Sequence, residues 1–279
     1  MLISFGNMNW RKVGFVLVVL LITGILVGKN LFPKEKVLSP SPVINSPKLE
    51  TVVTSALAGT NSTYGIVIKN FKTGEKFYLN ENRVFTSASL YKLWVAKEAY
   101  QRIKNQELRM EDEITEKISD LNSYYGMSDE EAEFTDGIYS MTVGEAINQM
   151  ITISHNNSAL ALAKKLQIKD VRPQVTPLVV ANFFERLYFG KMVDATASAQ
   201  LLAVLKKQEN KEMIPNLLPE NTIIAHKTGN LEKFTHDGGI VFSPKGDFLI
   251  VLMSESEYPP GAKERMAKIS RMVFDNFVN

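Results

Sequence analysis

The chain has no cysteine in its 279 residues. Disulfides and the lipid-modified cysteine of an anchored lipoprotein are therefore excluded, and an exported domain of this sequence has only its core to hold it together. Histidine is nearly as scarce. His155, His226 and His236 show neither zinc-ligand spacing nor a companion motif, so no metal and no cofactor is expected. A charge excess of one sign is missing too: 32 Lys and Arg face 30 Asp and Glu, for a net charge of +2. With no basic run interleaved with aromatics, nucleic acid is not an expected partner. No internal repeat is visible. What remains is 45% hydrophobic and 22% charged, ordinary for a globular protein of one large domain or two small ones.

The N-terminus is the exception to that ordinariness. Residues 1–12 form a short segment ending in Arg11 and Lys12, and an apolar run of 16 residues follows from Val13 to Gly28. A spanning helix uses ~20 apolar residues and a signal-peptide core ~7 to 15, so the run falls between the two. No small-x-small cleavage site follows Gly28 directly, since Ala56-Leu57-Ala58 lies too far downstream. Residues 13–32 are read as a transmembrane anchor, with a cleaved signal peptide as the alternative. Lysines and arginines are similar in number on both sides, so charge bias does not settle the orientation. From Pro33 to Pro47 the chain is rich in proline and serine. Such a stalk favours extended polyproline geometry and could hold a domain roughly 45 Å from a bilayer.

The domain proper is read from Lys48 to Asn279. Leu49 to Leu57 has helical periodicity, Tyr64 to Phe71 alternates as a strand, and Lys76 to Leu79 returns after the turn Lys72-Thr73-Gly74-Glu75. A helix is expected from Leu90 to Asn105, and an irregular acidic segment, carrying Tyr124 and Tyr125, from Glu111 to Ser140. Thr142 three residues before Glu145 is a capping-box pattern that opens a helix running to Ile153. Ser158 to Leu166, Pro177 to Phe189 and Ala197 to Lys207 are further helical stretches. Strands are expected at Thr222 to His226, Gly239 to Ser243 and Phe248 to Ser254, before a closing amphipathic helix from Lys263 to Phe277. Strands at both ends around a helical middle predict an α+β fold: one antiparallel sheet built from both chain ends with flanking helices, beside an all-helical lobe.

Chemistry is suggested first by Ser89-Leu90-Tyr91-Lys92. Residues three apart share a helix face, so the Lys92 amine can come within reach of the Ser89 hydroxyl and take its proton. Alone the pair is weak, because Ser-x-x-Lys arises about once by chance in a chain of this length. The bland alternative is an amphipathic helix with Leu90, Leu93, Trp94 and Ala96 inward and Lys92 solvated. Two more motifs follow in order, Ser154-His155-Asn156 and Lys227-Thr228-Gly229. A second Lys-Thr-Gly, Lys72 to Gly74, sits in a hairpin turn before the nucleophile, and its position suits a turn.

This order of three motifs resembles the penicillin-recognising serine enzymes, the class A β-lactamases and D,D-peptidases. Phe134 to Glu145 and Gly238-Gly239-Ile240-Val241 also look like class A sequence, so the resemblance covers roughly residues 48 to 279. It implies that Ser89 attacks a lactam or peptide carbonyl, with Lys92 as base or relay. Ser154, held by Lys227, would pass a proton to the departing nitrogen. The backbone N–H groups of Ser89 and Asn230 would form the oxyanion hole, Asn156 would hold the substrate's side-chain amide, and Thr228 and Lys227 would attract its carboxylate. Gly229 completes the third motif. Lys92 and Lys227 close together would keep one amine neutral near pH 7.

Two departures limit the resemblance. The second motif has His155 where class A enzymes usually carry Asp, and a histidine satisfied locally is the simpler reading. The Glu-x-x-Leu-Asn segment that activates the deacylating water in class A enzymes is also missing, since the stretch after Leu166 reads Gln167 to Pro177 with Asp170 as its one acid. Acylation looks intact, whereas fast hydrolysis does not. The resemblance implies a serine hydrolase of the class A β-lactamase type that opens β-lactams through an acyl-enzyme on Ser89. The alternatives are a D,D-carboxypeptidase or transpeptidase on peptidoglycan stem peptides and a non-turnover penicillin-binding sensor. The expected substrate is a β-lactam or D-Ala-D-Ala-type peptide. The expected setting is a monomer on the cell membrane with its catalytic domain outside, or, after signal cleavage, secreted.

Overall fold

A computed structural model describes residues 45–278. The anchor read at 13–32, the segment before it and most of the stalk lie outside the described residues. Asn45 and Ser46, which composition assigns to the stalk, already belong to the domain. The Asn45 side chain exchanges two hydrogen bonds with the backbone of Tyr78 (2.9 and 3.0 Å), and Ser46 caps helix α1, Pro47–Leu57.

The frame is a five-stranded antiparallel sheet made from β1 (Thr63–Asn70), β2 (Lys76–Leu79), β7 (Ile223–Leu231), β8 (Phe234–Phe242) and β9 (Phe248–Glu255). Its strand order is β2-β1-β9-β8-β7, so the first and last strands of the chain are neighbours. They pair along their whole length, from Thr63 opposite Glu255 to Asn70 opposite Phe248. The period of two in a strand explains why both read as nearly unbroken apolar runs. Ile66, Ile68, Ile250 and Leu252 pack with Leu49 and Val53 of α1 and with Met266 and Val273 of the closing helix α8 (Pro259–Val278). Val67, Leu249, Val251 and Met253 face the opposite way, into the larger core shared with the helical lobe. Both faces of the sheet are covered.

The helical lobe holds α2 (Lys92–Lys104), α3 (Ile118–Tyr125), α4 (Val143–Thr152), α5 (Asn156–Lys165), α6 (Pro177–Tyr188) and α7 (Ala195–Leu205). Helix α4 opens with the full capping box. Thr142 Oγ1 accepts from Glu145 N (3.2 Å) and the Glu145 carboxylate accepts from Thr142 N (2.8 Å), a reciprocal cap typically worth ~1 kcal/mol.

Several sequence expectations are corrected. Ser89 does not lie in the long helix: Ala88–Tyr91 is a 3₁₀ turn, and α2 begins at Lys92. The segment read as irregular from 111 to 140 contains a hairpin of β4 (Glu113–Lys117) and β5 (Ile138–Thr142), with α3 between them. β4 is mostly charged and polar, and β5 leaves Ile138 exposed and its other residues at most half-buried, which hides their alternation. Strand β7 continues to Leu231 rather than stopping at His226, so the third motif is inside the strand. The closing helix starts at Pro259, earlier than its amphipathic pattern suggests. The second Lys-Thr-Gly is a turn, with Asn70 Oδ1 accepting from Lys72 N and Thr73 N and Gly74 at φ +75. Two short strands complete the described elements, β3 (Phe85–Thr86) and β6 (Gln174–Val175), paired across the foot of the site.

Candidate active site

Three elements meet at Ser89. The turn that carries it is held from behind by His236 of β8, whose Nε2 lies 2.8 Å from the carbonyl oxygen of Thr86. Burial pushes the His236 ring down to about 4, so it is neutral at physiological pH. The other ring nitrogen, Nδ1, lies 2.7 Å from Thr235 O and 3.3 Å from Ser254 N, so the neutral ring has a carbonyl oxygen at each nitrogen and one proton to place between them. Ser87 N donates to Pro173 O (2.9 Å), tying the same turn to the short 167–173 segment. Ala88 is forced to φ +46, a left-handed conformation that costs an L-residue about 1 to 2 kcal/mol. Such strain persists only where surrounding packing over-determines it.

Strand β7 lies directly on this turn. A Cβ built on Gly229 would stand 3.1 Å from Ser87 O and 3.2 Å from both the Ala88 methyl and Ser89 N. A side chain there would push these neighbours back by a few tenths of an ångström, and glycine avoids that. The approach sets the Ser89 amide beside the edge of β7, and Ser89 and Asn230 both line two adjoining recesses of about 470 and 460 Å³. The first recess is bounded by Asn156, Leu160 and Val171, the second by Ser154, Thr228 and Asn210.

The second motif comes from the α4–α5 connection, where Ser154 is also left-handed at φ +60. Its hydroxyl sits between two amines: Lys227 Nζ donates to Ser154 Oγ at 2.9 Å, and Lys92 Nζ lies 3.3 Å away. The Lys92 amine also donates to Ser154 O (2.5 Å) and Asn156 Oδ1 (2.7 Å). Among the described residues no hydrogen bond joins Lys92 to Ser89, so the amine is turned toward the second motif rather than toward the hydroxyl three residues before it.

Both lysines are fully buried, which overturns the picture of Lys92 as a solvated helix charge. Desolvation, then repulsion from Lys227, pushes Lys92 well below the usual lysine range, which favours the neutral amine. A neutral amine has two donors and one lone pair. In that form its two donors match Ser154 O and Asn156 Oδ1, and its lone pair falls to the third neighbour, the Ser154 hydroxyl at 3.3 Å. Burial lowers Lys227 to about 7, an effect opposed by the Asp237 carboxylate. Asp237 is fully buried, with His226 Nδ1 at 2.9 Å from Oδ1 and Ile214 N donating to Oδ2 at 3.0 Å.

His155 is satisfied locally. Its Nδ1 accepts from Ser158 N at 3.1 Å, capping α5, and its ring stacks on Tyr139 at 5.4 Å. Lys92, Ser154, Asn156, Lys227, Thr228, Gly229 and Asn230 thus gather around Ser89. His236 and Asp237 support them from β8, although neither stands in a motif. Among the described residues no group of three or more His, Asp or Glu side chains could hold a metal ion, and no helix is long and apolar enough to cross a membrane.

Comparison with known proteins bears on the family and the fold. The β-lactamase enzyme family matches residues 48–277. Among solved structures, PBP-A superposes with a TM-score of 0.72 at 18% identity, covering 85% of this chain and 98% of its own. A β-lactamase from Sphaerobacter thermophilus gives 0.71 at 20% identity, with 84% and 98% covered. A mutant of PBP-A captured as an acyl-enzyme complex with penicillin-G gives 0.69 at 18%, with 82% and 96% covered. No curated protein matches the chain.

Proposed function

Because the chain belongs to the β-lactamase enzyme family, we propose that it is a serine acyl-transferring enzyme that opens the amide of a β-lactam through an acyl-enzyme on Ser89. The observation that carries this reading is the Ser154 hydroxyl held between the two lysine amines, at 2.9 Å from Lys227 and 3.3 Å from Lys92. The proton path follows from it. Ser89 Oγ forms a bond to the carbonyl carbon while its proton passes to the Lys92 lone pair. The oxyanion is met by the Ser89 and Asn230 amides, donors typically worth ~3 kcal/mol each. As the C–N bond breaks, the nitrogen takes the Ser154 proton and Ser154 is refilled from Lys92. Lys227 stays in place as the cation for the substrate carboxylate.

Turnover is the part where the chain departs from its relatives. The recess beside Ser89 is walled by Leu160 and Val171; the 167–173 segment brings it no glutamate, and Glu130, Glu131 and Glu232 reach it from other segments. That wall favours a second reading, a slowly deacylating penicillin-binding sensor or a D,D-peptidase acting on stem peptides. The acyl-enzyme complex of a PBP-A mutant with penicillin-G is consistent with either reading. Labelling of the full chain by a fluorescent penicillin, with free drug assayed in parallel, separates the two. Ser89→Ala is expected to abolish labelling, and persistent labelling of that variant would sink the assignment. Drug loss that stops at one equivalent makes the chain a penicillin-binding protein, whereas loss over many equivalents makes it a working β-lactamase.

A further inference from the structure

The first turn of a helix leaves backbone N–H groups without intrahelical partners, which side chains or water must satisfy. At α5 that duty divides between two side chains. His155 takes Ser158 N, while the carboxylate of Glu133 takes the two amides before it, with Oε2 at 2.7 Å from Asn156 N and 3.4 Å from Asn157 N. The other oxygen of Glu133 stands 3.9 Å from His155 Nε2. Glu133 reaches this place from 23 residues upstream, out of the acidic stretch between α3 and β5.

The helix start so fixed is also the site. Asn156 bonds to Glu133 through its amide, and through its side-chain oxygen it accepts from Lys92 Nζ at 2.7 Å. We propose that Glu133 is a positioning residue of the acylation site: it supplies the carboxylate that the second motif lacks at His155, and by seating Asn156 it fixes where the Lys92 amine is presented. The inference rests on the acyl-transfer reading of Ser89.

The charge acts along the same line. The charged and titratable groups around Lys92 are Lys227 on β7, the Tyr91 ring at 5.9 Å and Glu133, with Asp237 behind Lys227 on β8. Of these, Glu133 is the anion that offsets the repulsion from Lys227 at Lys92. Removing its charge therefore lowers the pH at which Lys92 becomes neutral. Neither recess beside Ser89 is lined by Glu133, and one of its oxygens is committed to α5. It is placed to orient, not to activate water.

The test compares the full-length chain with Glu133→Gln and Glu133→Ala, measuring the rate of labelling by fluorescent penicillin across pH together with the melting temperature. Glu133→Ala is expected to slow acylation by about tenfold or more, the scale of misplacing a reacting group. Glu133→Gln keeps an acceptor for Asn156 N and is expected to retain most of the melting temperature. Its acid limb of acylation should move to lower pH, a change that a purely structural cap would not produce. Rates and pH profiles that superimpose on the natural chain for both variants would overturn the inference while leaving the acyl-transfer reading standing. A natural chain that is never labelled overturns both.

Discussion

Lys227 sets the pH behaviour of the site. With its amine held near 7 by burial, the cation that meets a substrate carboxylate is present below that pH and is lost as pH rises through it. Acylation by benzylpenicillin should therefore fall on the alkaline side with a midpoint near 7, while an uncharged ester of the same penicillin should show no such limb. Labelling rates for the two compounds from about pH 5.5 to about 9 decide the matter. The folded site binds fewer protons than the unfolded chain between about 7 and the usual lysine value. Lys227 therefore adds to stability as pH rises across that window. At this scale the motif residues were legible, because each motif is local and the chain order joins them. His236 and Glu133 were not. The partner of His236 is 150 residues away and that of Glu133 is 23, and nothing in the local sequence of either points to the carbonyl or amide it meets.

Among the elements, β7 carries the most function per residue, since its middle is both sheet and site. A Gly229→Ala substitution places a methyl against Ser87 O, the Ala88 methyl and Ser89 N, two of which are backbone atoms that have little room to give. The neighbours must give by a few tenths of an ångström, so the expected loss of acylation is about tenfold, short of the ~100-fold that a 1 Å displacement of reacting groups costs. Stability should fall by only about 1 to 3 kcal/mol, the usual cost of overpacking. Labelling kinetics and chemical unfolding of the same variant read the two effects separately. The strands buried on both faces, β1 and β9, were plain from their Ile, Val and Leu content. For β7 and β8 the sequence pattern ends the first strand at His226 and opens the second only at Gly239, because Gly229, His236, Asp237 and Gly238 lower strand propensity, and tertiary approach overrides it. At Gly239 a Cβ would come within 2.4 Å of Ala225 O, so the glycine that weakens the strand signal is what lets the strands meet.

On the scale of the whole molecule, the described part of the chain, from Asn45 onward, has its own two-sided core. The apolar run from Val13 to Gly28 has no counterpart in it. We therefore expect the full chain to pellet with membranes, and a chain lacking residues 1–44 to remain in the supernatant with its penicillin labelling unchanged. Fractionation followed by labelling checks both halves, and loss of labelling on truncation would place the N-terminal segment in the site's support. The α+β layout was legible from the order of strand and helix patterns, but the pairing of β1 with β9 is a contact across nearly the whole domain that no local pattern records.

That pairing also sets a schedule. Strand β1 leaves the ribosome roughly 180 residues before β9, which at about 5 to 20 residues per second is an interval on the order of ten to forty seconds. Throughout it, β1 has only β2 to bond with, and one edge of its backbone stays open. Lys227 emerges late in the same interval, after Ser89 has long been made. The nucleophile is thus synthesised early and armed last, and a chain cut anywhere before Glu255 carries all three motifs or fewer yet lacks the complete strand that holds β1 and β8 together.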